Sequence, residues 1–242
     1  MKTKAFYISG LLVAALAITG CFYSSGPKPS KNKITKKYSI DGFDKIENTA
    51  AVSIVFTQGS PVKVEASGPD NYISHLTVMT RDSTLYIGVD DKSFKNQKSE
   101  RIIVSVTSPD LCSIQQKGTG SITLKDSVKT GNISILSDGV GSIKADALIA
   151  HNLYVSHRGV GSIDLEGEAR SAKYYLDGVG SLKAKKMIVS DVVVEQNGVG
   201  SVSCYASGTI NISTQGVGSV NYYGKPQVTG LKKSGVGSVN SK

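Results

Sequence analysis

Cysteine and histidine are scarce in this sequence, which has three of each among its 242 residues. The histidines, His75, His151 and His157, are far apart in the chain, and no cysteine or glutamate accompanies them at the spacing of a metal-binding motif. The sequence therefore predicts no metal site, and no other motif in it predicts a cofactor.

Long apolar runs are absent after residue 20, and the one run before it has the composition of an export signal. Two lysines precede an apolar stretch over residues 5–18, which is too short to cross a bilayer comfortably. The tetrapeptide Ile18-Thr19-Gly20-Cys21 resembles the bacterial lipobox, in which the cysteine is acylated and becomes the first residue of the mature chain. These features predict a lipoprotein signal peptide over residues 1–20 and a lipid anchor on Cys21, with an uncleaved anchor helix as the alternative.

The formal net charge is +9, and several of the positive charges follow the predicted anchor. Residues 21–37 are rich in serine, proline, glycine and lysine, which predicts a flexible tether whose lysines are attracted to anionic headgroups. A basic chain can also bind nucleic acid, but this one has no basic-aromatic motif and carries an export signal. We therefore expect a protein of the cell envelope with no nucleic-acid partner, anchored by lipid to the outer membrane, and the sequence leaves open whether it faces the cell surface or the periplasm.

A tetrapeptide, Gly-Val-Gly-Ser, recurs through the second half of the chain and organises it. Its first copy has threonine in place of valine, and the later copies follow at steps of 18 to 21 residues. The copies begin at Gly118, Gly139, Gly159, Gly178, Gly198, Gly216 and Gly235. A period near 20 residues is typical of a structural unit that buries its apolar face only by stacking on its neighbours.

Apolar and polar residues alternate on both sides of these glycines, which is the period of a strand and not of a helix. Four residues after the first glycine the units have Ile122, Ile143, Ile163, Leu182, Val202, Val220 and Val239. The columns four and six residues before it are also mostly apolar, and they end in Leu231 and Thr229. The pattern predicts an all-β, single-domain parallel β-helix, or β-solenoid, with coils of about 20 residues and roughly ten coils in all.

Charged residues at outward positions predict the register of the coils. Three columns change sign from unit to unit at nearly every step, the exception being the step from Asp146 to Glu166. The columns are Lys144, Asp164 and Lys183; Lys125, Asp146, Glu166 and Lys185; Asp138, Arg158 and Asp177. Opposite charges stabilise neighbouring strands, so we expect equivalent positions of adjacent coils to be direct cross-strand neighbours.

Residues 38–117 keep the strand period without the glycine marker. Strands are predicted over 52–56, 62–66, 76–78, 85–87 and 102–106, and a polar loop over 90–101. Because the end of a solenoid must not recruit another chain, this region is predicted to form irregular first coils and a cap, with a small β-sandwich as the alternative. The repeats fill 118–242 and finish in a half-coil, whose edge is either blunted by Lys232, Lys233 and Lys242 or covered by a partner.

Several residues that could carry chemistry have structural interpretations. Cys112 and Cys204 fall in inward columns four coils apart, too far for a disulfide, so both are expected to be small buried hydrophobic residues. His157 is expected to be a half-buried polar side chain. The serine of each repeat forms a column, which favours a hydrogen-bonded ladder over a single nucleophile. Gly-Val-Gly-Ser also lacks the lysine of a phosphate loop and the aspartate of a calcium-binding repeat.

Three features together resemble a known family. They are the lipobox, the early segments Gly42-Phe43-Asp44-Lys45-Ile46 and 52–59, and the repeated Gly-Val-Gly-Ser. They are similar to the autotransporter adhesin head domain called the GIN domain, which occurs largely in envelope lipoproteins of Bacteroidetes and related bacteria. The resemblance covers about Tyr38 to the C-terminus and implies a parallel β-helix at the cell envelope, but it implies no functional residues.

The sequence favours binding over catalysis. Exposed carboxylates alternate with cations instead of clustering, so we expect a noncatalytic interaction or adhesion-type protein, with a carbohydrate-binding or carbohydrate-active β-helix of lyase or hydrolase type as the alternative. Tyr154, Tyr175, Tyr205 and Tyr223 are predicted to point outward, where they could stack on sugar rings or simply pack across strands. The expected partners are a membrane, through the lipid, and a glycan or an envelope protein; the oligomeric state is left open.

Overall fold

The computed structural model describes residues 27–90 and 102–242. Strands account for 75% of these residues and helix for 2%. They form a β-solenoid of about 6 turns with coils of about 20 residues. The all-β solenoid and its coil length are as predicted, whereas the expected number of about ten coils is wrong. The predicted signal peptide, Cys21 and most of the predicted polar loop lie outside the described residues.

The described chain contains sixteen strands and one short helix. In chain order they are β1 (Lys33–Tyr38), β2 (Lys45–Asn48), β3 (Ser53–Gln58), β4 (Lys63–Pro69), α1 (Asp70–Ile73), β5 (Leu76–Arg81), β6 (Thr84–Val89), β7 (Ile103–Ser108), β8 (Ser113–Gln116), β9 (Thr119–Ser137), β10 (Val140–His157), β11 (Val160–Leu176), β12 (Val179–Gln196), β13 (Val199–Thr214), β14 (Val217–Tyr223), β15 (Gln227–Lys233) and β16 (Val236–Ser241). The five strands predicted between residues 52 and 106 are present as β3 to β7.

Parallel strands stack in register through the repeats. Ile143 in β10 pairs with Ile122 in β9 on one side and with Ile163 in β11 on the other, and all three side chains are buried. The register continues from β12 to β14, so this column fills the interior. Equivalent side chains therefore form files along the solenoid, as the sequence predicts.

Each full coil has three short segments with inward-facing side chains. In β10 they are 140–145, 147–150 and 152–157, and the pairing shifts at Ala145 and Ala147, where the first segment gives way to the second. The buried apolar side chains of this coil are Ile143, Ala145, Leu148, Ala150, Leu153 and Val155. We refer to the three segments as the first, second and third faces of a coil, and to the junction at the repeated glycines as the glycine corner.

Glycine is required at the glycine corner because successive coils come closest there. Gly161 has a backbone φ of +140°, which residues other than glycine rarely adopt. A Cβ built on it would overlap the carbonyl oxygen of Gly141 in the preceding coil. A Cβ on Gly159 would likewise overlap the carbonyl oxygen of Gly139. The repeated glycines therefore mark a line of direct contact between backbones.

The serine that follows these glycines stacks in the predicted file, with Ser142 paired to Ser121 and Ser162. A side-chain hydrogen bond along this file joins Ser121 Oγ to Ser53 Oγ at 3.2 Å. The serine file thus confirms the register, but among the described residues the predicted hydrogen-bonded ladder is formed only at the step between Ser121 and Ser53.

One predicted charge pair is formed as expected. Arg158 Nε lies 2.8 Å from Asp138 Oδ1 in the preceding coil. This contact holds the pKa of the Arg158 guanidinium above its ordinary value. The change of charge between Asp138 and Arg158 in this column therefore correctly predicts that they are neighbours in adjacent coils.

Other predicted charge pairs differ in their partners. Lys144 is the register neighbour of Asp164, but its Nζ pairs with Asp146 of its own coil at 2.6 Å. Glu166 pairs with Lys186 at 2.8 Å instead of the expected Lys185. The register shifts between the first and second faces at this point, so counting from the glycine misplaces the partner by one residue.

The first coil lies under the repeats and is covered by strands from later in the chain. β2 pairs in parallel with β8 and β6, and β3 pairs in parallel with β9 and β7. Beyond them, β4, β1 and β5 join in antiparallel pairing. These antiparallel strands and α1 occupy residues that the sequence assigns to further coils, which explains why there are about 6 turns.

Residues 33–37, expected to end the flexible tether, form part of β1. Lys33–Tyr38 pairs antiparallel with β4, from Pro69 to Val64, and residues 33–37 are exposed. Lysines on an edge strand discourage pairing with another chain. A lysine-rich composition is therefore typical of a protected edge strand as well as of a flexible tether.

The opposite end of the solenoid is only partly covered. β15 pairs with β13 and β16 with β14, and no described strand lies beyond them. Leu231 and Thr229, both predicted to face inward, are exposed, Leu231 by 57%. The inward pattern fails here because no strand of the described residues covers the last half-coil.

Candidate functional site

A groove of about 760 Å³ follows the corner between the second and third faces. Its lining extends from Cys112, just before β8, to Thr229 in β15, so the groove runs along the stack of coils instead of around one coil. An opening of this shape suits an extended ligand, and it lies within the paired coils of the repeats.

A file of short polar side chains lies along this groove. Its members are Asn132, Asn152, Ser171, Asp191 and Thr209, which are register neighbours in successive coils. Asn152 Nδ2 donates to Asn132 Oδ1 at 2.7 Å, and Ser171 Oγ donates to Asn152 Oδ1 at 2.7 Å. Thr209 Oγ1 donates to Asp191 Oδ1 at 2.7 Å. These hydrogen bonds fix the orientation of exposed amide, hydroxyl and carboxylate groups.

The adjacent file on the third face combines apolar and charged groups. Tyr154, Lys173 and Val193 are register neighbours, and Tyr154 and Val193 are exposed by 40% and 38%. Lys173 Nζ lies 2.8 Å from Glu195 Oε1, and this contact raises the pKa of the Lys173 ammonium. The groove therefore has one ammonium group, fixed by its ion pair with a carboxylate, between two apolar side chains.

Asp191 is the negatively charged member of the polar file. The hydrogen bond from Thr209 lowers the pKa of the Asp191 carboxyl, and Ser190 adds to the effect. A carboxylate with a lowered pKa accepts hydrogen bonds at neutral pH and does not serve as a proton donor.

The four candidate tyrosines lie in two separate places. Tyr154 and Tyr175 belong to the third faces of β10 and β11, and Tyr154 is the one that lines the groove. Tyr205 and Tyr223 are direct register partners in β13 and β14, just past the first face. Tyr223 lines a different hollow of about 430 Å³. The structure therefore does not unite the four side chains in one site.

The polar file belongs to neither the charged nor the apolar columns of the sequence. Its members stand seven residues before the first glycine of five consecutive repeats, at a constant position. Asparagine, serine, aspartate and threonine are also the usual residues of turns, so the column is easily taken for a loop. Its constant place in the repeat was the signal that could have revealed it.

The two described cysteines differ in environment. Cys204 is buried, as predicted, and burial raises the pKa of its thiol to about 12. Cys112, expected to be buried as well, is only partly so and lines the groove. It lies just before β8 instead of inside a strand, so the inward alternation does not apply to it.

His157 is more deeply buried than expected. Its side chain is 0% exposed, and its Nδ1 lies 3.1 Å from Ser137 Oγ. Burial lowers the pKa of the imidazole. The residue is therefore part of the interior and not of a surface site.

Within residues 27–90 and 102–242, no three histidine, cysteine, aspartate or glutamate side chains are grouped as metal ligands would be. In the same residues no helix has the length and apolar character needed to cross a membrane.

Comparison with known families gives one match, over most of the chain. The sequence model of the family described as "Putative auto-transporter adhesin, head GIN domain" matches residues 42–226. None of the curated proteins that were compared matches this chain.

Solved structures share the fold. A "putative adhesin" from Bacteroides fragilis is 33% identical, with a TM-score of 0.84, and the match covers 90% of this chain and 100% of that one. A "putative adhesin" from Parabacteroides merdae is 21% identical, with a TM-score of 0.66 over 89% of this chain and 99% of that one. A "putative lipid binding protein" from Parabacteroides distasonis is 20% identical, with a TM-score of 0.65 over 88% and 98% of the two chains. The last two matches concern the fold alone.

Proposed function

This chain belongs to the GIN-domain family of auto-transporter adhesin heads, and we propose that it is a noncatalytic, adhesion-type protein of the cell envelope that binds an extended glycan. The observation that carries the proposal is the continuity of the groove beside Tyr154 over successive coils. A linear glycan repeats hydroxyl groups and apolar ring faces along its length. The coils repeat polar and apolar side chains at intervals of about 4.8 Å.

The side chains of the groove have the chemistry that sugars require. Asn152 and Ser171 present amide and hydroxyl groups that are already oriented by hydrogen bonds. Asp191 presents a carboxylate that can accept bonds from sugar hydroxyls. The exposed ring of Tyr154 offers an aromatic surface for a sugar ring. Oriented polar groups beside an aromatic ring favour binding because little side-chain order is lost.

The same groove favours binding over bond cleavage. Glycoside hydrolysis uses two carboxyl groups, of which one is protonated. Asp191 is the one carboxylate among the described side chains that line the groove, and its pKa is lowered. A carbohydrate-active enzyme, the alternative function, needs a second carboxyl group and a proton donor at this place.

We further propose that Cys21 carries lipid and anchors the protein to the outer membrane. The apolar stretch and the lipobox-like residues before Cys21 support this proposal, and an adhesin-type family suits a position at the cell surface or in the envelope. Incorporation of radiolabelled palmitate should occur in the wild-type chain and be lost in Cys21→Ser. Label that persists in the variant would contradict acylation at this residue.

Glycan binding is tested with the full chain on arrays of bacterial and host glycans, followed by titration calorimetry with each glycan that binds. Tyr154→Ala and Asn152→Ala should each weaken binding about tenfold or more, because each removes a contact from the groove. Tyr205→Ala is the matched control, since this tyrosine lies outside the groove, and it should bind as the wild type does. Equal loss in all three variants, no glycan bound, or release of oligosaccharides from a polysaccharide would reject the proposal.

A further inference from the structure

A second hollow opens on the third face and joins the groove. Its volume is about 460 Å³, and it follows the chain from Val193 to Asn197 with the neighbouring strand β13 beside it. Val193, Asn211 and Thr229 line both the groove and this hollow. The two openings are therefore continuous, and we refer to the second one as the side hollow.

The side hollow lies across the direction of the groove. The groove passes from coil to coil, which is the direction in which strands stack, whereas the side hollow follows the length of the third face. The chain from Val193 to Asn197 extends about 13 Å, at about 3.3 Å per residue. The groove also continues past Val193, with Thr209 and Thr229 in its lining. The side hollow is thus an arm of the groove and not simply its end.

Hydrogen-bonding side chains line the side hollow, namely Asn197, Asn211, Ser213 and Gln215. The three amides are exposed, and no hydrogen bond joins any of these four side chains to another described residue. In the groove, by contrast, Asn152 is bonded to both of its neighbours in the polar file. Because an amide offers both donors and an acceptor, the side hollow can bind the adjacent hydroxyl groups of a sugar.

An ion pair spans the junction between the two openings. Lys173 lines the groove and Glu195 lines the side hollow, and Lys173 Nζ lies 2.8 Å from Glu195 Oε1. The Glu195 carboxylate is therefore already neutralised. The other charged side chain in the described lining of the side hollow is Lys232, two coils beyond Glu195 in the same file. Between these two coils the side hollow recognises a ligand through neutral hydrogen bonds.

We propose that the glycan bound by this chain is branched, with its main chain in the groove and a short branch in the side hollow. This inference rests on the proposed function, since it requires a glycan in the groove. The branch point lies beside Val193 and Asn211, which line both openings. A linear chain leaves the amides of the side hollow hydrated, whereas a branch replaces that water with its hydroxyl groups. Asn197 and Gln215 therefore determine specificity for the branch.

Titration calorimetry of the full chain with matched glycans tests the branch. The pairs are mannan oligosaccharides with and without galactose branches, cello-oligosaccharides with and without xylose branches, and both forms of any other main chain that the arrays identify. The branched member should bind about tenfold more tightly, because one or two further hydrogen bonds form. Equal affinity within each pair that binds would overturn this inference and leave the proposed function in place. If no glycan binds in either form, both are rejected.

The double variant Asn197→Ala/Gln215→Ala tests the side hollow itself. It should bind the branched member no more tightly than the linear one, with the affinity for the linear member unchanged, which also shows that the variant is folded. Asn221→Ala is the matched control, since this amide lies on the first face, outside both openings, and it should keep the tenfold preference. The inference is wrong if the double variant keeps that preference, or if it loses affinity equally for both members.

Discussion

Gly161 lies so close to Gly141 in the preceding coil that a Cβ on Gly161 would overlap the Gly141 carbonyl oxygen. The φ of Gly161 is +140°, so alanine would also strain the backbone. We expect Gly161→Ala to lower the free energy of unfolding by about 3 kcal/mol or more, since strain and overpacking add. Chemical denaturation measures the change.

Gly131→Ala is the matched control for that substitution. A Cβ at Gly131 has nothing within 4 Å, and the residue is exposed. The free energy of unfolding should therefore change by no more than about 0.5 kcal/mol. If both variants behaved alike, contact between the backbones at the glycine corner would not be what selects glycine there.

Tyr174 is a second position where the interior of the solenoid allows a prediction about stability. The side chain is 0% exposed, and its hydroxyl has no hydrogen-bond partner among the described residues. Tyr174→Phe should raise the free energy of unfolding by about 1 kcal/mol, because a buried polar group without a partner is costly. Tyr154→Phe, at an exposed tyrosine, should leave stability unchanged. A clear loss of stability in Tyr174→Phe would show that the hydroxyl is in fact satisfied.

His157 should make stability depend on pH. Burial lowers the pKa of its imidazole below the ordinary value of 6.5, so the unfolded chain takes up this proton at a higher pH than the folded chain does. The contribution of His157 is fully present above pH 6.5, and it is lost as the pH falls from there towards the folded-state pKa.

The measurement compares urea denaturation at pH 7.5 and at pH 5 in the wild type and in His157→Leu. Leucine is a suitable replacement because Leu176 is the register neighbour of His157 in the next coil and is also buried. The wild type should lose more stability than the variant over this interval. Equal losses would mean that His157 is protonated as easily in the folded chain as in the unfolded one.

Cys204 should be inert to thiol reagents while the chain is folded. The side chain is buried and burial raises its pKa to about 12, so almost no thiolate is present at neutral pH. Cys112 is partly exposed and should react first, although its pKa is also raised, chiefly by burial. Mass spectrometry after treatment with a maleimide, with and without denaturant, distinguishes the two. Labelling of Cys204 before Cys112 would contradict the register of β13.

Much of the groove depended on contacts that no single repeat contains. The tyrosines were singled out by type, but only Tyr154 lines the groove. The polar file is a set of neighbours created by stacking, with Asn152 joined to residues 20 and 19 positions away in the chain. Likewise, the partner of Glu166 depends on a register shift at a corner. Counting a constant number of residues from the glycine does not take this shift into account.

The sequence by itself determined the repeating unit, the strand period and the columns that face inward. These are local properties, because alternation sets which side chains are buried and the glycines set where coils approach. Only the tertiary structure decided how the chain ends its stack, where residues 33–37 pair as an edge strand, and which exposed side chains become neighbours. Those outcomes depend on pairings between distant segments. Local composition does not predict them, because a lysine-rich edge strand and a lysine-rich tether have the same composition.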